Sequence, residues 1–203
     1  MRAGLPDARG LDVLEIGSNC GFFSFEFARQ GARSVTGLDV APKWLENAEW
    51  ARSVLGLANV SFMNCDFMRY DGSARPAAGL LSDLDQAIPL PDKRFDLVFM
   101  STVLDHLFFP LFSIYKMIRI SRHWVVIDVP TAGGGESGEA FARLYVAPDN
   151  IHHGFTFSTA FLSSYIARLG IPPADLQVHT YNEGRNATYL INVQRLAGGL
   201  VGA

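Results

Sequence analysis

The chain has 203 residues, 49% of them hydrophobic and 18% charged. At roughly 100 to 200 residues per domain this is one domain, and the composition excludes disordered and fibrous classes. Seventeen Lys and Arg against 20 Asp and Glu leave a net charge of −3, the wrong sign for gripping phosphate backbones by bulk electrostatics, so nucleic acid is disfavoured as a partner.

Two cysteines, Cys20 and Cys65, make neither a disulfide framework nor an all-cysteine zinc site, which fits a reducing compartment. Met1 to Gly10 lack the apolar stretch of a signal peptide, and no run approaches the roughly 18 apolar residues of a membrane span. The expectation is a soluble, cytoplasmic protein.

In chain order, Leu11 to Ile16 read as a strand that enters Gly17-Ser18-Asn19-Cys20-Gly21, followed by a helix ending near Gly31. Ser34 to Val40 is a second strand. Pro42 then suits a first helical turn, with Leu45, Ala48, Ala51 and Leu55 at helical spacing and Gly56 as the stop. Val60 to Asn64 and Phe95 to Met100 are the third and fourth strands, and a helix starting near Pro110 turns Leu111, Ile114, Tyr115 and Ile118 inward. Trp124 to Val129 is almost continuously apolar, as in a sheet buried on both faces. Ser158 is a plausible cap for a helix with Leu162, Tyr165, Ile166 and Leu169 inward, ended by Gly170 and Pro172-Pro173. Leu176 to Tyr181 and Ala187 to Arg195 close the chain as a hairpin around 182–186.

This alternation predicts an α/β fold: a three-layer αβα sandwich on a Rossmann-like, mostly parallel seven-stranded sheet with a C-terminal antiparallel hairpin. Two segments, 71–92 and 130–157, fit no element and read as long loops of the kind that carry function.

Ligands of open α/β sheets bind beyond the carboxyl ends of the strands. After the first strand, Gly17 and Gly21 permit a tight turn and close ligand approach, and Asn19 tolerates the left-handed conformation. At the end of the second strand, Asp39 is placed to accept hydrogen bonds from ribose hydroxyls. Asp39 would serve NAD equally well, but the run from Gly17 is G-S-N-C-G-F, which lacks two glycines of the dinucleotide fingerprint.

The chain resembles class I S-adenosylmethionine-dependent methyltransferases from about Leu11 to Arg195. The likeness is carried by V-L-E-I-G-S-N-C-G (Val13 to Gly21), T-G-L-D-V (Thr36 to Val40), N-C-D-F (Asn64 to Phe67) and F-D-L-V-F-M-S-T (Phe95 to Thr102). In G-S-N-C-G-F-F-S-F-E and V-L-D-H-L-F-F-P it looks closest to the subgroup similar to methyltransferases of tRNA wobble-uridine-5-oxyacetate biosynthesis. Asn19 stands where the family usually has the middle of three glycines. The resemblance implies S-adenosylmethionine as cofactor. It places Glu15 near the methionine amino group, Gly17 and Gly21 along the cofactor with Ser18 and Asn19 between them, and Asp39 on the ribose beside Val40. Asp66 would take the adenine amino group with Phe67 beside the ring, and Ser101 would offer its backbone to the methionine end.

Methyl transfer is an in-line displacement, so the protein must position the reactants and, for a poor nucleophile, supply a base. His106, six residues beyond the fourth strand, is the candidate, since histidine titrates near pH 6.5. Asp105 beside it is a cap or a substrate contact, and His152 and His153 lie where the family's substrate loop approaches. Some RNA 2′-O-methyltransferases carry E-x-x-E-H in this region, but Thr102 stands at the first acidic position here, and no metal is expected. Of the phenylalanines in 22–27, Phe23 and Phe27 are expected in the core, and Phe22 or Phe23 toward a cofactor or partner. Trp44, Tyr115 and Tyr145 are expected in the core or at a pocket rim.

The resulting expectation is one methyltransferase domain over 1–203, acting on oxygen or nitrogen of a small-molecule acceptor. A tRNA-modifying enzyme and a non-catalytic cofactor-binding subunit are the alternatives. No membrane is involved. With the first strand starting by Leu11, cover for the site falls to 130–157, a large acceptor, or a second subunit in a homodimer.

Overall fold

The computed structural model describes residues 5–73, 90, 92–132, 139–146 and 153–196. In chain order the elements are β1 (Asp12–Ile16), α1 (Phe22–Arg29), β2 (Ser34–Asp39), α2 (Pro42–Leu55), β3 (Val60–Asn64), β4 (Phe95–Ser101) and α3 (Pro110–Ile120), then β5 (Ser121–Pro130), β6 (Ala142–Val146), β7 (His153–Phe157), α4 (Thr159–Arg168), β8 (Leu176–Tyr181) and β9 (Asn186–Asn192). Seven strands form one sheet in the order β3-β2-β1-β4-β5-β9-β8, and β6 and β7 form a separate two-stranded ribbon. β1, β2 and β3 pair in parallel, while β9 runs antiparallel to both β5 and β8. The expected Rossmann-like sheet with a terminal hairpin is the fold observed. No helix among the described residues is long and apolar enough to cross a membrane.

Contacts divide the chain into two compact units, Met1–Phe99 with Arg119–His123, and Met100–Ile118 with Trp124–Ala203. In the first, Val13, Leu14, Val35 and Leu38 are buried together with Phe25 and Phe27 of α1. The phenylalanine run divides by face. Phe23 and Phe27 pack on Phe99 with ring centres 4.7 and 5.2 Å apart, Phe25 meets Phe62 at 5.8 Å, and Phe22 stays 68% exposed. Phe62 also enforces two glycines, since a Cβ on Gly21 or on Gly37 would lie 2.6 Å from its ring.

The amino ends of the strands in this unit hold a charged cluster. Arg33 donates to both oxygens of Asp12 and, at 3.2 Å, to Asp96, while Arg122 reaches Asp96 at 3.1 Å. β5 begins at Ser121, three residues before the expected Trp124, and Arg122 and His123 in that added stretch face Asp96, a polar start that an apolar pattern does not register.

In the second unit, Val125, Val126, Ile127 and Val129 of β5 are buried with Ile114 and Met117 of α3, Leu162 and Ile166 of α4, and Tyr189 and Ile191 of β9. Ser158 caps α4 as expected, its hydroxyl accepting from the Phe161 N–H at 3.2 Å. β9 ends at Asn192, three residues before the expected Arg195, because the Asn192 side chain accepts the Gln194 N–H and turns the chain. The loop expected over 130–157 contains β6 and β7. All five residues of β6 are exposed, so no buried face marks that strand, while in β7 the alternation is confined to Phe155 and the buried Phe157, too short a run to be read as a strand. Most of 71–92, the other expected loop, lies outside the described residues.

Arg33 holds the Asp12 carboxyl below its ordinary value, against a smaller opposing effect of burial. A depressed carboxylate stabilises the fold above its unfolded pKa, and that contribution is lost as pH falls through the lower folded value. Asp12→Asn should therefore unfold at lower temperature than wild type at pH 7, with the gap closing as the pH falls below the ordinary carboxylate value. Thermal melts across pH that show a constant gap would exclude this ion pair as the cause.

Candidate functional site

In the first unit the carboxyl ends of β1, β2 and β3 are joined by hydrogen bonds that converge on Asp39. β1 leads into a turn in which Gly17, Asn19 and Gly21 all have positive φ, at 72°, 48° and 85°. Asn19 adopts the left-handed conformation that it tolerates. Its own side-chain oxygen accepts the Cys20 N–H at 2.7 Å, the local bond that makes asparagine tolerable there. The Asn19 N–H donates to Asp39 Oδ2 at 2.8 Å, and the Ala41 N–H donates to Oδ1 at 2.9 Å. The Asp39 carbonyl accepts the Cys65 N–H and the Asn64 side-chain amide, each at 3.0 Å, which secures the end of β3. Each carboxylate oxygen of Asp39 thus accepts one described bond and has a further lone pair for a ligand hydroxyl.

Ser18 is consumed by the turn itself: its N–H donates to the Leu38 carbonyl at 2.9 Å and its carbonyl accepts the Gly21 N–H at 2.8 Å. Its hydroxyl is buried with no hydrogen-bond partner among the described residues. Val40 and Trp44 are exposed beyond Asp39. Asp66 caps the short 3-10 turn Phe67–Arg69, with Oδ1 accepting the Met68 N–H at 2.9 Å. Its other oxygen is not used by that cap. Phe67 is 3% exposed, so its ring packs in the core instead of offering an open face to adenine. A phenylalanine after an acidic turn residue carries no sequence signal for which way it points.

Glu15 lies beneath the turn, 3% exposed, and accepts the Ser24 hydroxyl of α1 at 2.5 Å. Burial pushes its carboxyl up to about 8, and the Ser24 bond opposes that only in part. The side chain is therefore mostly protonated at neutral pH.

In the second unit, β4 ends at Ser101, whose hydroxyl donates to Asp128 Oδ2 at 2.9 Å. Thr102 follows with φ of 54°, a rare conformation for a β-branched residue. The 3-10 turn Leu104–His106 comes next, anchored by the fully buried Leu104. Asp105 has a 14% exposed side chain. Its Oδ2 lies 3.5 Å from His106 Nε2, while its buried Oδ1 has no hydrogen-bond partner among the described residues. The His106 side chain is 66% exposed. β7 packs against this turn, with Gly154 beside the Asp105 carbonyl. His153 opens β7 opposite Val146, and His152 lies outside the described residues. Tyr115 is half-buried and Tyr145 exposed. Among the described residues no group of three or more His, Cys, Asp or Glu is arranged to hold a metal ion.

Sequence reasoning did not single out Asp128, Tyr181 and Thr188. Asp128 is the one of the three with a readable sign, an acid within the apolar run Trp124 to Val129.

Residues 7–129 match the family model described as a methyltransferase domain. No curated protein sequence matches the chain. Among solved structures, an S-adenosylmethionine-dependent methyltransferase from Mesorhizobium loti superposes with a TM-score of 0.65 at 14% identity, covering 94% of this chain and 93% of that one. A SAM-dependent methyltransferase from Aquifex aeolicus gives 0.59 at 16% identity over 93% and 85%. Magnesium protoporphyrin IX methyltransferase from Synechocystis PCC 6803, crystallised with SAM, gives 0.60 at 16% identity over 92% and 71%. At these identities the likeness establishes the fold.

Because Glu15 is protonated in the fold up to about pH 8 but ionises near 4.5 when unfolded, stability declines as pH rises through that interval. Glu15→Gln cannot ionise and should remove the decline, raising the melting temperature of the ligand-free protein relative to wild type by on the order of 5 °C at pH 8 and much less at pH 5. Parallel melting curves at both pH values would place the burial cost elsewhere.

Proposed function

The chain belongs to the methyltransferase-domain family, and on that premise we propose that it is a single-domain enzyme that transfers a methyl group from S-adenosylmethionine to an oxygen or nitrogen of a small-molecule acceptor. The observation that carries this reading is the convergence on Asp39 of the glycine-flanked turn and the end of β3. It leaves an acidic group with acceptor capacity beside a left-handed turn, and Asp66 at the end of β3 adds a second carboxylate, an acceptor set that suits the hydroxyls and amino group of a nucleoside.

In this reading Asp39 accepts the ribose hydroxyls, and the free oxygen of Asp66 takes the adenine amino group. Gly17, Asn19 and Gly21 keep the backbone low against the ligand, with Ser18 shaping the turn and Val40 flanking the ribose. Phe67 supports the adenine loop from the core. Glu15 acts through the turn above it, near the methionine amino group, where a nearby positive charge would favour its ionised form. Ser101 offers its backbone to the methionine end.

When bound, the cofactor supplies an electrophilic methyl on a sulfonium sulfur, open to in-line attack by an acceptor lone pair. The chain's own task is then to align the acceptor and remove its proton. His106 is exposed enough to meet an acceptor and takes that proton, with Asp105 Oδ2 orienting the imidazole. Asp105 Oδ1, which has no partner among the described residues, favours an acceptor carrying an N–H or O–H beside the methylated atom, because a buried carboxylate oxygen without a donor is costly. His153, at the start of the strand packed on this turn, is a second acceptor contact. A tRNA acceptor is supported by motif likeness alone and opposed by the net charge of −3. A non-catalytic subunit would keep the cofactor contacts without turnover.

Calorimetric titration should show binding of S-adenosylmethionine and none of NAD, and Asp39→Ala should weaken the former at least tenfold. An absence of heat with S-adenosylmethionine would end this reading. Incubating cell extract with methyl-labelled cofactor should reveal a labelled small molecule, and with that acceptor His106→Ala should lower turnover about 100-fold while leaving cofactor affinity unchanged. Unaltered turnover would remove His106 from the mechanism.

A further inference from the structure

Asp128 is a carboxylate in the interior of β5, 1% exposed and flanked by the fully buried Ile127 and Val129. It is met by hydroxyls from three other strands. Ser101 of β4 donates to Oδ2 at 2.9 Å, and Tyr181 of β8 and Thr188 of β9 donate to Oδ1 at 2.7 and 2.8 Å. Thr188 is also its register partner across the β5–β9 ladder. Stapling a sheet does not require this arrangement, since apolar side chains of similar volume hold buried strands at least as well as buried charged groups do.

The backbone beside it points to a use. The Asp128 carbonyl accepts the Thr102 N–H at 2.7 Å, and the Thr102 hydroxyl donates to the Ser101 carbonyl at 2.8 Å. Asp128 therefore holds the last residue of β4, Ser101, by its side chain and the first residue of the following turn, Thr102, by its carbonyl. Thr102 is kept at φ of 54°, a strained state that persists only where the surroundings over-determine it, and such states gather at ligand clamps.

We propose that Asp128 is a positioning residue: through Ser101 and Thr102 it sets the backbone turn that receives the amino-acid end of the cofactor. This rests on the cofactor reading above. It assigns Asp128 no contact with the reacting atoms. Of its two oxygens, Oδ2 serves the turn and Oδ1 serves the hairpin strands, so the two tasks can be separated by mutation.

The test uses two probes with the same nucleoside, S-adenosylhomocysteine, which has the amino-acid end, and 5′-methylthioadenosine, which lacks it. By calorimetry, Ser101→Ala and Asp128→Ala should each weaken S-adenosylhomocysteine about tenfold and leave methylthioadenosine within about twofold of wild type. Thr188→Val, which removes a bond to Oδ1 only, should lower the melting temperature and leave both affinities unchanged. If Asp128→Ala does not fold, Ser101→Ala decides alone. Equal losses for both probes, or no loss for S-adenosylhomocysteine in the folded variants, would overturn the positioning role. A wild-type chain that binds neither probe would overturn the cofactor reading itself and this inference with it.

Discussion

The ligand end of the first unit depends on one carboxylate and its own carbonyl. Asp39 takes the Asn19 and Ala41 N–H groups on its side chain and the Asn64 and Cys65 donors on its backbone, so the ends of three parallel strands are set by a single residue. The turn from Gly17 to Gly21 could adopt other shapes in isolation, because glycine and asparagine are permissive residues. Here it has one shape, since both its first N–H groups and Asn19 are bonded to β2. A ligand held by this residue would meet a surface already ordered, which spares the entropy of arranging it on binding.

Close packing beneath that surface restricts it further. Phe62 of β3 fills the space that a side chain at Gly21 or Gly37 would occupy, so packing alone already calls for glycine at both positions. α1 is held against the sheet by Phe25 and Phe27, and its Ser24 reaches the buried Glu15. The glycine-flanked turn, first helix and core are therefore one packed body, and substitutions in the turn act on stability through all three.

Two buried acids show how environment divides similar side chains into different roles. Glu15 has a single hydroxyl donor and is pushed toward its neutral form by burial, which makes it responsive to any positive charge above the turn. Asp128 has three hydroxyl donors from separate strands, and its geometry is correspondingly over-determined. Both are exceptions to the rule that acids stay exposed, and each sits below a backbone turn at the carboxyl end of a strand.

The sequence by itself determined the alternation of strands and helices, the parallel sheet with its terminal hairpin, the glycine-flanked turn with an asparagine that tolerates the left-handed conformation, and the placing of Asp39 and Ser101 at strand ends. These are local matters, written in hydrophobic period, turn residues and spacing along one stretch of chain. Only the tertiary structure decided that Phe67 is buried, that Ser18 is spent within the turn, that β6 and β7 pair as a separate ribbon, and that Asp128 gathers hydroxyls from β4, β8 and β9. Each of those depends on residues far apart in the chain, or on which face of an element meets the core, and no periodic pattern encodes it. Asp128 joins residues 27, 53 and 60 positions away. A lone acid in an apolar strand signals that such partners must exist, but only the folded sheet, by placing four strands side by side, selects them.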